Sequence, residues 1–570
     1  MTWKCTNTPK GENKLYSDAK GVVPSLDLRF AEGKTLNDYM TATPLVDHQR
    51  SMSGSNLSAG TFVNSNGLIE TAKVNLLTYS EDFTGTNWSW QGTAGIITSG
   101  FSSPAGNLTA SKLITSSSIS GRKKDLGPQG VSGVTNSSVI FNLLNGQYVS
   151  TVVGNPTYGS ESISNGWYRY WLTANGYTFS IYAKSAEYTQ IQLQAFQQFF
   201  YVYAPQAVGG NTTDGILIWG AQVEEGTTAT TYIPTTNVPS AAPRFDHDPA
   251  TGESLGLLIE ESRTNLVTYS EQFDNAAWGA TSAGTFVVTP NASLAPDGTT
   301  TADLVVGNNA STWITNNGGA ASAGDYTFSV WLKSDTPQTA EILMSYGVTD
   351  ILSCSVTTDW QRFTLTATRA ASVALFVGVN VGNAKNIYIW GAQLEVGSFA
   401  TSYIPTTGTA LTRSTDTASI TGSNFSSWYN PNETTLYIES LDFPNYSRLA
   451  NGAFVYISDT NVFPISLNDG IKFGTGSPAT FNRVFVTEAG VNYATTAGNQ
   501  ASKFAIAVAT NDFNYVSDGI SIGTATSVVM PTGMDRLVIS SYGPGYAHIS
   551  RLTYFPERLP DATLQTITTP

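Results

Sequence analysis

Two blocks of the sequence occur twice, and they decide how the chain is organised. Ile218-Trp-Gly-Ala-Gln-Val-Glu is followed by Thr231-Tyr-Ile-Pro-Thr-Thr, and Ile389-Trp-Gly-Ala-Gln-Leu-Glu is followed by Ser402-Tyr-Ile-Pro-Thr-Thr. Blocks that recur in the same order and at the same spacing indicate a duplicated unit of structure.

Working outward from these blocks, the matches extend over whole domains. Asn75-Leu-Leu-Thr-Tyr-Ser-Glu-Asp-Phe opens the first copy, and Asn265-Leu-Val-Thr-Tyr-Ser-Glu-Gln-Phe opens the second. The copies therefore span residues 75–236 and 265–407. Repeats of this length are too long for a solenoid and fit two related tandem domains.

Within each copy the residues alternate as in β-strands. In Asp325-Tyr-Thr-Phe-Ser-Val-Trp-Leu-Lys every second residue, here Tyr326, Phe328 and Val330, points to the same side. No window keeps an amphipathic helical period beyond two turns, and clusters of Gly, Asn, Ser and Thr separate the short apolar runs. The pattern predicts an all-β fold with tandem jelly-roll sandwiches. Similar short runs after Thr415 predict a third sandwich, which ends in a helical turn from about Pro560.

The two copies differ in the order of their middle strands. In the second copy Tyr326-Thr-Phe-Ser precedes Trp360-Gln-Arg-Phe, whereas in the first copy Trp167-Tyr-Arg-Tyr precedes Tyr177-Thr-Phe-Ser. Either the first sandwich has its middle segments exchanged, or one of the two matches is accidental. We take the exchange as the hypothesis to test.

These patterns predict four parts. Residues 1–60 form an N-terminal anchor or attachment segment, residues 61–240 and 241–410 form the two jelly rolls, and residues 411–570 form the C-terminal sandwich.

The composition excludes several classes of protein. Only 12% of residues are charged and 41% are hydrophobic, so the chain can bury several cores and is not disordered. A net charge of −14 argues against nucleic-acid binding, because little positive charge is present to neutralise phosphates. Two cysteines, Cys5 and Cys354, are too few for a disulfide framework. The sequence has no apolar run long enough for a membrane span and no secretory signal at its start, so we expect a soluble protein made in a host cytoplasm.

The repeated blocks resemble those of phage and prophage virion proteins that carry carbohydrate-binding-module-like jelly rolls. The resemblance rests on Asn-Leu-x-Thr-Tyr-Ser-Glu-x-Phe, Tyr-Thr-Phe-Ser and Ile-Trp-Gly-Ala-Gln-x-Glu, and on the linker Arg244-Phe-Asp-His-Asp-Pro. The C-terminal His548-Ile-Ser-Arg-Leu-Thr-Tyr-Phe-Pro-Glu-Arg-Leu resembles the last strand of concanavalin/laminin-G-like domains of phage fibres. The resemblance implies a protein of the virion surface, such as a tail fibre, a head fibre or a decoration protein.

Such jelly rolls often hold a structural Ca²⁺ between their first and last strands, and the resemblance implies no other cofactor. Carboxylates at the corresponding ends are the candidate ligands, namely Glu81, Asp82, Glu224, Glu271 and Glu395. The alternative is that these are solvated carboxylates at strand edges.

Binding of a sugar needs an aromatic ring for the apolar face of a pyranose and polar side chains for its hydroxyl groups. Trp219 and Trp390 recur within the same strand and are expected to be core residues. The candidates for exposed, glycan-binding aromatic residues lie in loops rich in Asn, Gly, Thr and Pro, namely Trp88, Trp90, Trp278, Trp428, Tyr429 and Tyr542.

The sequence offers little for catalysis. Its three histidines, His48, His247 and His548, are far apart, and no metalloprotease, serine-hydrolase or phosphate-binding motif occurs. The nearest approach to a glycosidase pair, Glu439 and Asp442, falls on opposite faces of a strand. We therefore expect no enzyme, although paired carboxylates of a polysaccharide depolymerase could still assemble from distant strands.

The leading interpretation is a non-enzymatic tail or head fibre that attaches to host-surface glycans. The alternative is a capsid or tail decoration protein that stabilises its neighbours without binding sugar. Residues 1–60 would contact other virion proteins, and the low charge suits a homo-oligomer such as a trimer. Because no coiled-coil heptads are visible, the β-domains would have to form its contacts.

Overall fold

The computed structural model describes residues 12–19, 21–42, 45–52, 57–115, 121–127, 131–204, 215–281, 284–346, 348–369, 373–382, 385–440, 452–459, 469–475, 482–489, 491–498, 502–540 and 545–570. In these ranges the chain forms many strands and four short helices. The prediction of an all-β fold is confirmed. No helix of the described part is long and apolar enough to cross a membrane.

The N-terminal part contains two helices and five short strands: α1 (Glu12–Asp18), β1 (Leu26–Leu28), α2 (Phe30–Gly33), β2 (Asp47–Gln49), β3 (Leu57–Ser58), β4 (Thr61–Val63) and β5 (Ile69–Thr71). The first jelly roll contains fourteen strands: β6 (Val74–Asn75), β7 (Ser89–Gln91), β8 (Ile96–Phe101), β9 (Ala110–Ile114), β10 (Gly121–Asp125), β11 (Val134–Asn142), β12 (Tyr148–Val153), β13 (Thr157–Ser162), β14 (Tyr168–Ala174), β15 (Tyr177–Ser185), β16 (Gln190–Gln197), β17 (Phe199–Tyr203), β18 (Ile216–Glu225) and β19 (Ser240–Ala241).

A hairpin and the second jelly roll follow: β20 (Phe245–His247), β21 (Ser254–Glu260), β22 (Arg263–Asn265), β23 (Trp278–Thr281), β24 (Phe286–Ser293), β25 (Ala302–Gly307), β26 (Trp313–Ala321), β27 (Gly324–Lys333), β28 (Gln338–Tyr346), β29 (Val348–Val356), β30 (Gln361–Arg369), β31 (Val373–Asn380), β32 (Ile387–Val396) and β33 (Leu411–Arg413). The C-terminal sandwich contains β34 (Thr417–Thr421), α3 (Gly422–Ser426), β35 (Glu433–Ser440), β36 (Gly452–Ser458), β37 (Gly470–Thr475), β38 (Asn482–Glu488), β39 (Val491–Gly498), β40 (Lys503–Ala509), β41 (Asp512–Ser517), β42 (Ile520–Ala525), β43 (Arg536–Ser540), β44 (Tyr546–Phe555) and α4 (Asp561–Thr568).

The chain divides into two compact units. Unit 1 consists of the described residues of Met1–Val46, Gly54–Thr71 and Pro243–Pro570. Unit 2 consists of the described residues of Asp47–Ser53 and Ala72–Ala242 and contains the first jelly roll. The second jelly roll and the C-terminal sandwich therefore belong to one unit rather than to two separate domains.

The N-terminal residues do not form the separate segment that the sequence predicts for 1–60. Strand β1 pairs with β44, near the C-terminus, and Leu26, Leu28 and Phe30 are fully buried in the core of the C-terminal sandwich. The physical reason is that these apolar side chains cover apolar side chains of the sheet, which would otherwise be exposed to water. Leu26–Leu28 and Phe30 therefore share a core with the C-terminal sandwich.

Unit 2 is a sandwich of two six-stranded sheets. Their strand orders are β12-β11-β16-β17-β10-β7 and β13-β14-β15-β18-β9-β8. Alternate residues of facing strands, such as Phe179, Leu193 and Phe200, fill the core between the sheets.

The second jelly roll has two five-stranded sheets, which match those of the first jelly roll without β12 and β13 and differ from them in chain order. Its sheets run β23-β26-β31-β28-β29 and β24-β25-β32-β27-β30. The Trp-x-Arg strand lies beside the Tyr-Thr-Phe-Ser strand in both copies, as β14 beside β15 and as β30 beside β27. It comes before its neighbour in the first copy and after it in the second, so the predicted exchange of middle segments is confirmed.

The C-terminal sandwich borrows strands from elsewhere in unit 1. One sheet has the order β20-β21-β44-β35-β40-β41-β42, with β1 also paired to β44, and the other contains β34-β43-β36-β37-β38-β39. The linker residues that form β20 and β21 thus continue this sheet, and Leu257 and Ile259 are fully buried in its core.

Candidate functional site

The repeated Gln and Glu of the Trp-Gly-Ala-Gln-x-Glu block hold the segment that returns after it. In the second copy the Gln393 side-chain oxygen accepts a hydrogen bond from the Ile404 backbone N–H at 2.7 Å, and Glu395 accepts from the backbone N–H of Thr401 at 3.0 Å. The Thr401 hydroxyl also donates to Glu395. All these polar groups are buried, so the block that predicts the fold is a fold determinant rather than a binding site.

The first copy repeats this arrangement. Gln222 accepts from the Ile233 N–H at 2.7 Å, and Glu224 accepts from the Thr230 N–H at 2.9 Å. The glycine of the block has φ +60° at Gly220 and +65° at Gly391, and a side chain at either position would meet an aromatic ring of the next strand.

An aromatic cluster covers the outer side of this block. Trp390 contacts Tyr403 at 4.7 Å between ring centroids, and Trp331 lies within 5.5 Å of both rings. In the first copy the Trp219 ring lies 4.7 Å from Tyr232. Trp219 and Trp390 are buried, which confirms the prediction that they are core residues.

The predicted calcium ligands do not come together. The hydroxyl of Tyr232 donates to Glu81 and that of Tyr403 donates to Glu271, and burial raises the pKa of both carboxyl groups. Asp82 accepts the Thr84 hydroxyl in a turn. No group of three or more His, Cys, Asp and Glu side chains within the described ranges is placed to hold a metal ion. These residues therefore do not fit a calcium site.

The alternative for the carboxylates is also wrong at two positions. Glu224 and Glu395 have no exposed surface, because each is enclosed with the threonine that it binds. They are not solvated carboxylates at a strand edge.

Three tryptophans that the sequence places in exposed loops are buried instead: Trp88, Trp278 and Trp428 are 1%, 4% and 5% exposed. The Trp88 and Trp278 indoles donate to the carbonyl oxygens of Tyr79 and Tyr269, at 3.1 and 2.9 Å. The three rings belong to the cores of the first jelly roll, the second jelly roll and the C-terminal sandwich, respectively.

The other aromatic candidates differ in their surroundings. Trp428 packs on Tyr554 at 4.7 Å, and the half-buried Tyr429 packs on Phe425 at 4.7 Å. Trp90 is half-buried beneath the Arg122 guanidinium, whose carbon lies 4.9 Å from the ring centroid. Tyr542 lies outside the described residues.

The first jelly roll carries a row of aromatic rings that the sequence reasoning missed. Phe199, Tyr201 and Tyr203 alternate along β17 with Phe200 and Val202, which face the core. The three rings therefore stand on the outer face of their sheet. Centroid separations are 6.0 Å from Phe199 to Tyr201 and 5.9 Å from Tyr201 to Tyr203, the latter pair nearly parallel. We call these three residues the aromatic row.

Polar side chains flank the aromatic row on both sides. Gln194 and Gln192 of β16 lie opposite Tyr201 and Tyr203, and the Tyr203 hydroxyl donates to the Gln194 side-chain oxygen at 3.1 Å. On the other side the Lys123 ammonium lies 4.5 Å from the Phe199 ring centroid. Tyr201 and Tyr203 are 8% and 7% exposed, whereas Phe199 and both glutamines are half-buried.

The equivalent face of the second jelly roll lacks this row. Strand β31 occupies the place of β17, and its pairing with β26 and β28 sets Gly378 and Asn380 where the first copy has Tyr201 and Tyr203. Leu343 stands where the first copy has Gln194. The difference is specific to this face, because the core positions keep their apolar character in both copies.

A signal for the aromatic row is present in the sequence. Gln190-Ile-Gln-Leu-Gln-Ala and Phe199-Phe-Tyr-Val-Tyr each place one kind of residue on one face, glutamine in β16 and aromatic rings in β17. Read with a period of two, these stretches indicate a polar and aromatic outer face over an apolar core.

No protein-family model matches the sequence, and a search of curated proteins finds no match. Among solved structures, the chain is similar to the CBM22-1 xylan-binding domain of Paenibacillus barcinonensis Xyn10C, with 13% identity, a TM-score of 0.19, and coverage of 24% of this chain and 94% of that domain. It is also similar to the CBM22-1–CBM22-2 tandem domain of the same protein, with 12% identity, a TM-score of 0.25, and coverage of 58% and 100%. A Trypanosoma rangeli sialidase in complex with sialic acid matches with 10% identity, a TM-score of 0.20, and coverage of 96% and 98%. Likenesses at this level carry no argument about function.

Proposed function

We propose that the protein is a non-enzymatic glycan-binding protein of a phage virion surface, a tail or head fibre that attaches to host-surface glycans through the first jelly roll. The aromatic row with its two glutamines is the observation that carries the proposal. A sugar ring packs an apolar face on aromatic side chains while amide groups bond its hydroxyls. On this face the half-buried Phe199 ring and the half-buried amides of Gln192 and Gln194 are the groups that a sugar can reach.

The contrast between the two copies supports this assignment. A row of three rings is not needed to build the sandwich, because the second jelly roll builds the same sheet with Gly378 and Asn380. Side chains that the fold does not require are the ones to examine for function.

The pKa of the Glu260 carboxyl group in unit 1 favours a non-catalytic role. Burial alone would raise the pKa of Glu260, but the guanidinium groups of Arg413 and Arg244 lower it to about 2. A general acid of a glycosidase needs a raised pKa, so Glu260 is unsuited to protonate a leaving group near neutral pH. Asp246, the nearby candidate, is hydrogen bonded to His548 at 2.8 Å and to the Val63 N–H at 2.5 Å.

Placement on a virion rests on the sequence resemblance described above, and so does attachment to other virion proteins through the N-terminal residues. Assembly as a homo-oligomer such as a trimer is part of the same proposal. Leu15 and Ala19 are buried in unit 1, as are Leu26, Leu28 and Phe30, so these described N-terminal residues belong to its cores.

A glycan array with the full-length chain tests the proposal. We expect binding that falls at least about tenfold in affinity, equivalent to about 1.4 kcal/mol, in Phe199→Ala and Gln194→Ala. The matched control is Phe376→Ala, which removes the ring at the equivalent position of the second jelly roll and should leave binding unchanged. Calorimetry of each variant shows that the sandwiches remain folded.

Two results would overturn the proposal: no glycan bound by the full chain, or equal loss in the Phe199 and Phe376 variants. Hydrolysis of a bound polysaccharide by the wild-type chain would replace it with the depolymerase alternative.

One observation favours the decoration role as a second candidate. The edge strands β12 and β13, which the second jelly roll lacks, expose several apolar side chains, among them Tyr148, Val152 and Tyr158, which are 45%, 54% and 40% exposed. Exposed apolar patches of this kind mark contacts with other proteins. Loss of incorporation into particles in a Val152→Asp variant, together with a silent glycan array, would support a decoration protein.

A further inference from the structure

Unit 1 contains a pocket of about 180 Å³ that the proposed function does not use. Four parts of the chain form its wall: the β4–β5 hairpin, the β20–β21 hairpin, the second jelly roll and strand β44. The side chains that matter for its chemistry are Phe62, Asp246, Trp331, Arg362, Tyr546 and His548.

One side of the pocket is aromatic. Trp331 lies edge-on to Tyr403, with 5.5 Å between centroids, and both rings line the pocket. Tyr546 and Phe62 line it as well and are half-buried, so part of each ring is accessible. Rings of this kind accept the C–H face of a small organic molecule.

The other side of the pocket carries polar groups that hydrogen bonds already hold in place. The Asp246 carboxylate is held by His548 and by the Val63 N–H, and each of its oxygens keeps a further lone pair. Arg362 donates from its two terminal nitrogens to the Thr401 carbonyl at 2.7 Å and to the Ser329 hydroxyl at 2.9 Å. Its Nε–H is buried without a hydrogen-bond partner. The pocket therefore offers an oriented acceptor in Asp246, whereas Arg362 is held by its own hydrogen bonds.

The charges exclude an ionic ligand. Asp246 and Glu260 line the pocket and oppose an anion, whereas Arg362 lies 4.4 Å above the Trp331 ring centroid and occupies the place a ligand cation would take. Glu260 is in addition paired with Arg244 at 2.7 Å and with Arg413 at 3.3 Å. A neutral molecule that donates hydrogen bonds to the Asp246 carboxylate suits this balance.

The size restricts the ligand further. Pockets for drug-sized ligands measure about 300–1,000 Å³, so 180 Å³ admits one small ring and not a chain of them. We propose that this pocket binds a single neutral sugar residue, stacked against the aromatic side and hydrogen bonded to Asp246. The site is separate from the aromatic row, which lies in unit 2, and its occupancy does not depend on it.

Titration of the full-length chain with the methyl glycosides of glucose, galactose, mannose and N-acetylglucosamine tests this inference. Saturation-transfer NMR reports binding and calorimetry gives the dissociation constant. In Ala400→Phe the new ring fills the pocket, and we expect the affinity for the bound glycoside to fall at least about tenfold. Asp246→Asn removes the carboxylate charge without changing its shape, and we expect a smaller loss.

The chain offers a matched control. Ala229 occupies the position of Ala400 in the first jelly roll, one residue before the threonine that binds the buried glutamate. Ala229→Phe should leave glycoside binding unchanged, and so should Phe199→Ala on the aromatic row.

Each outcome is decisive for this pocket. Absence of binding by all four glycosides, or equal binding by wild type and Ala400→Phe with both folded, would overturn the inference. Loss of glycoside binding in Ala400→Phe but not in Phe199→Ala would establish the pocket as the binding site, even if the aromatic row binds nothing. Loss in Phe199→Ala alone would assign the glycoside to the aromatic row and leave the pocket without a ligand.

Discussion

The Arg551 guanidinium donates two hydrogen bonds to the Asp27 carboxylate, at 2.9 and 2.7 Å, although 524 positions separate the two residues. Asp27 has no exposed surface and also accepts from Arg29 and from the Thr553 hydroxyl. This buried carboxylate fastens the beginning of unit 1 to its last strand.

Replacing Asp27 by Ala should destabilise unit 1 by about 3–5 kcal/mol, because the guanidinium groups of Arg29 and Arg551 lose the buried carboxylate that both of them bind. Differential scanning calorimetry of the full chain measures the effect as a lowered transition of unit 1. The control is Asp535→Ala, which breaks an ion pair with Arg536 at a carboxylate that is 50% exposed, and should cost less than about 1 kcal/mol. Equal shifts in both variants would contradict the importance of burial.

A fragment of residues 410–570 should not fold cooperatively. It lacks β1, β20 and β21, and with them the core side chains of Leu26, Leu28, Leu257 and Ile259. We expect dye binding to exposed apolar surface and no sharp thermal transition, as measured by calorimetry and ANS fluorescence. A fragment of residues 47–242, which contains all of unit 2, should retain its transition. A sharp transition in the shorter fragment would refute the shared core.

Unit 1 should lose stability in acid partly through Glu260. Its pKa falls from 4.5 to about 2 on folding, so the unfolded chain takes up a proton first as the pH drops. The stabilisation is complete above about pH 4.5 and is lost as the pH falls toward 2, an effect on the order of 3 kcal/mol.

Urea unfolding followed by tryptophan fluorescence between pH 2 and pH 6 measures this loss. Glu260→Gln should remove that part of the pH dependence, whereas Glu253→Gln, at an exposed position of the same hairpin, should leave the curve of the wild type. A wild-type slope in the Glu260 variant would show that other groups dominate.

The repeated glutamate should stabilise each jelly roll separately. Glu395→Ala leaves the N–H and hydroxyl of Thr401 unpaired and buried, which costs about 1–3 kcal/mol for each such group. Glu224→Ala has the same effect on Thr230. In calorimetry the first variant should lower the transition of unit 1 and the second that of unit 2. If either variant lowered both transitions alike, the two glutamates would not stabilise their jelly rolls independently.

Much of the fold is predictable because the residues that recur in the two copies are ones that stabilise the fold. The glycines, glutamines and glutamates of the repeated block each have a buried structural role, so their recurrence marks equivalent places in two sandwiches. Because these equivalent places are known, the position of the Trp-x-Arg strand along the chain can be compared between the two copies. That comparison predicts the exchange of strand order correctly.

The site residues were harder to predict because exposure depends on distant parts of the chain. Trp88 and Trp278 follow polar stretches of sequence, yet Trp88 directly precedes strand β7, Trp278 begins strand β23, and both rings are buried in the cores. The N-terminal strand β1 is buried by pairing with a strand more than 500 positions away, which no local pattern reports. The aromatic row was missed because its tyrosines lie within a strand, where aromatic residues are ordinarily taken as core.

The different strand order of the two jelly rolls has a consequence for folding. Tandem domains of similar sequence are prone to misassembly, in which a strand of one copy enters the sheet of the other while both are still incomplete. In the first copy β14 leads directly into its neighbour β15. In the second copy the equivalent strand β30 follows β27 and leads into β31 of the opposite sheet. A strand that entered the wrong copy would therefore carry connections that run to the wrong neighbours. The permuted order gives each domain its own sequence of strand connections. Two domains of similar sequence can therefore be synthesised one after the other without exchanging strands.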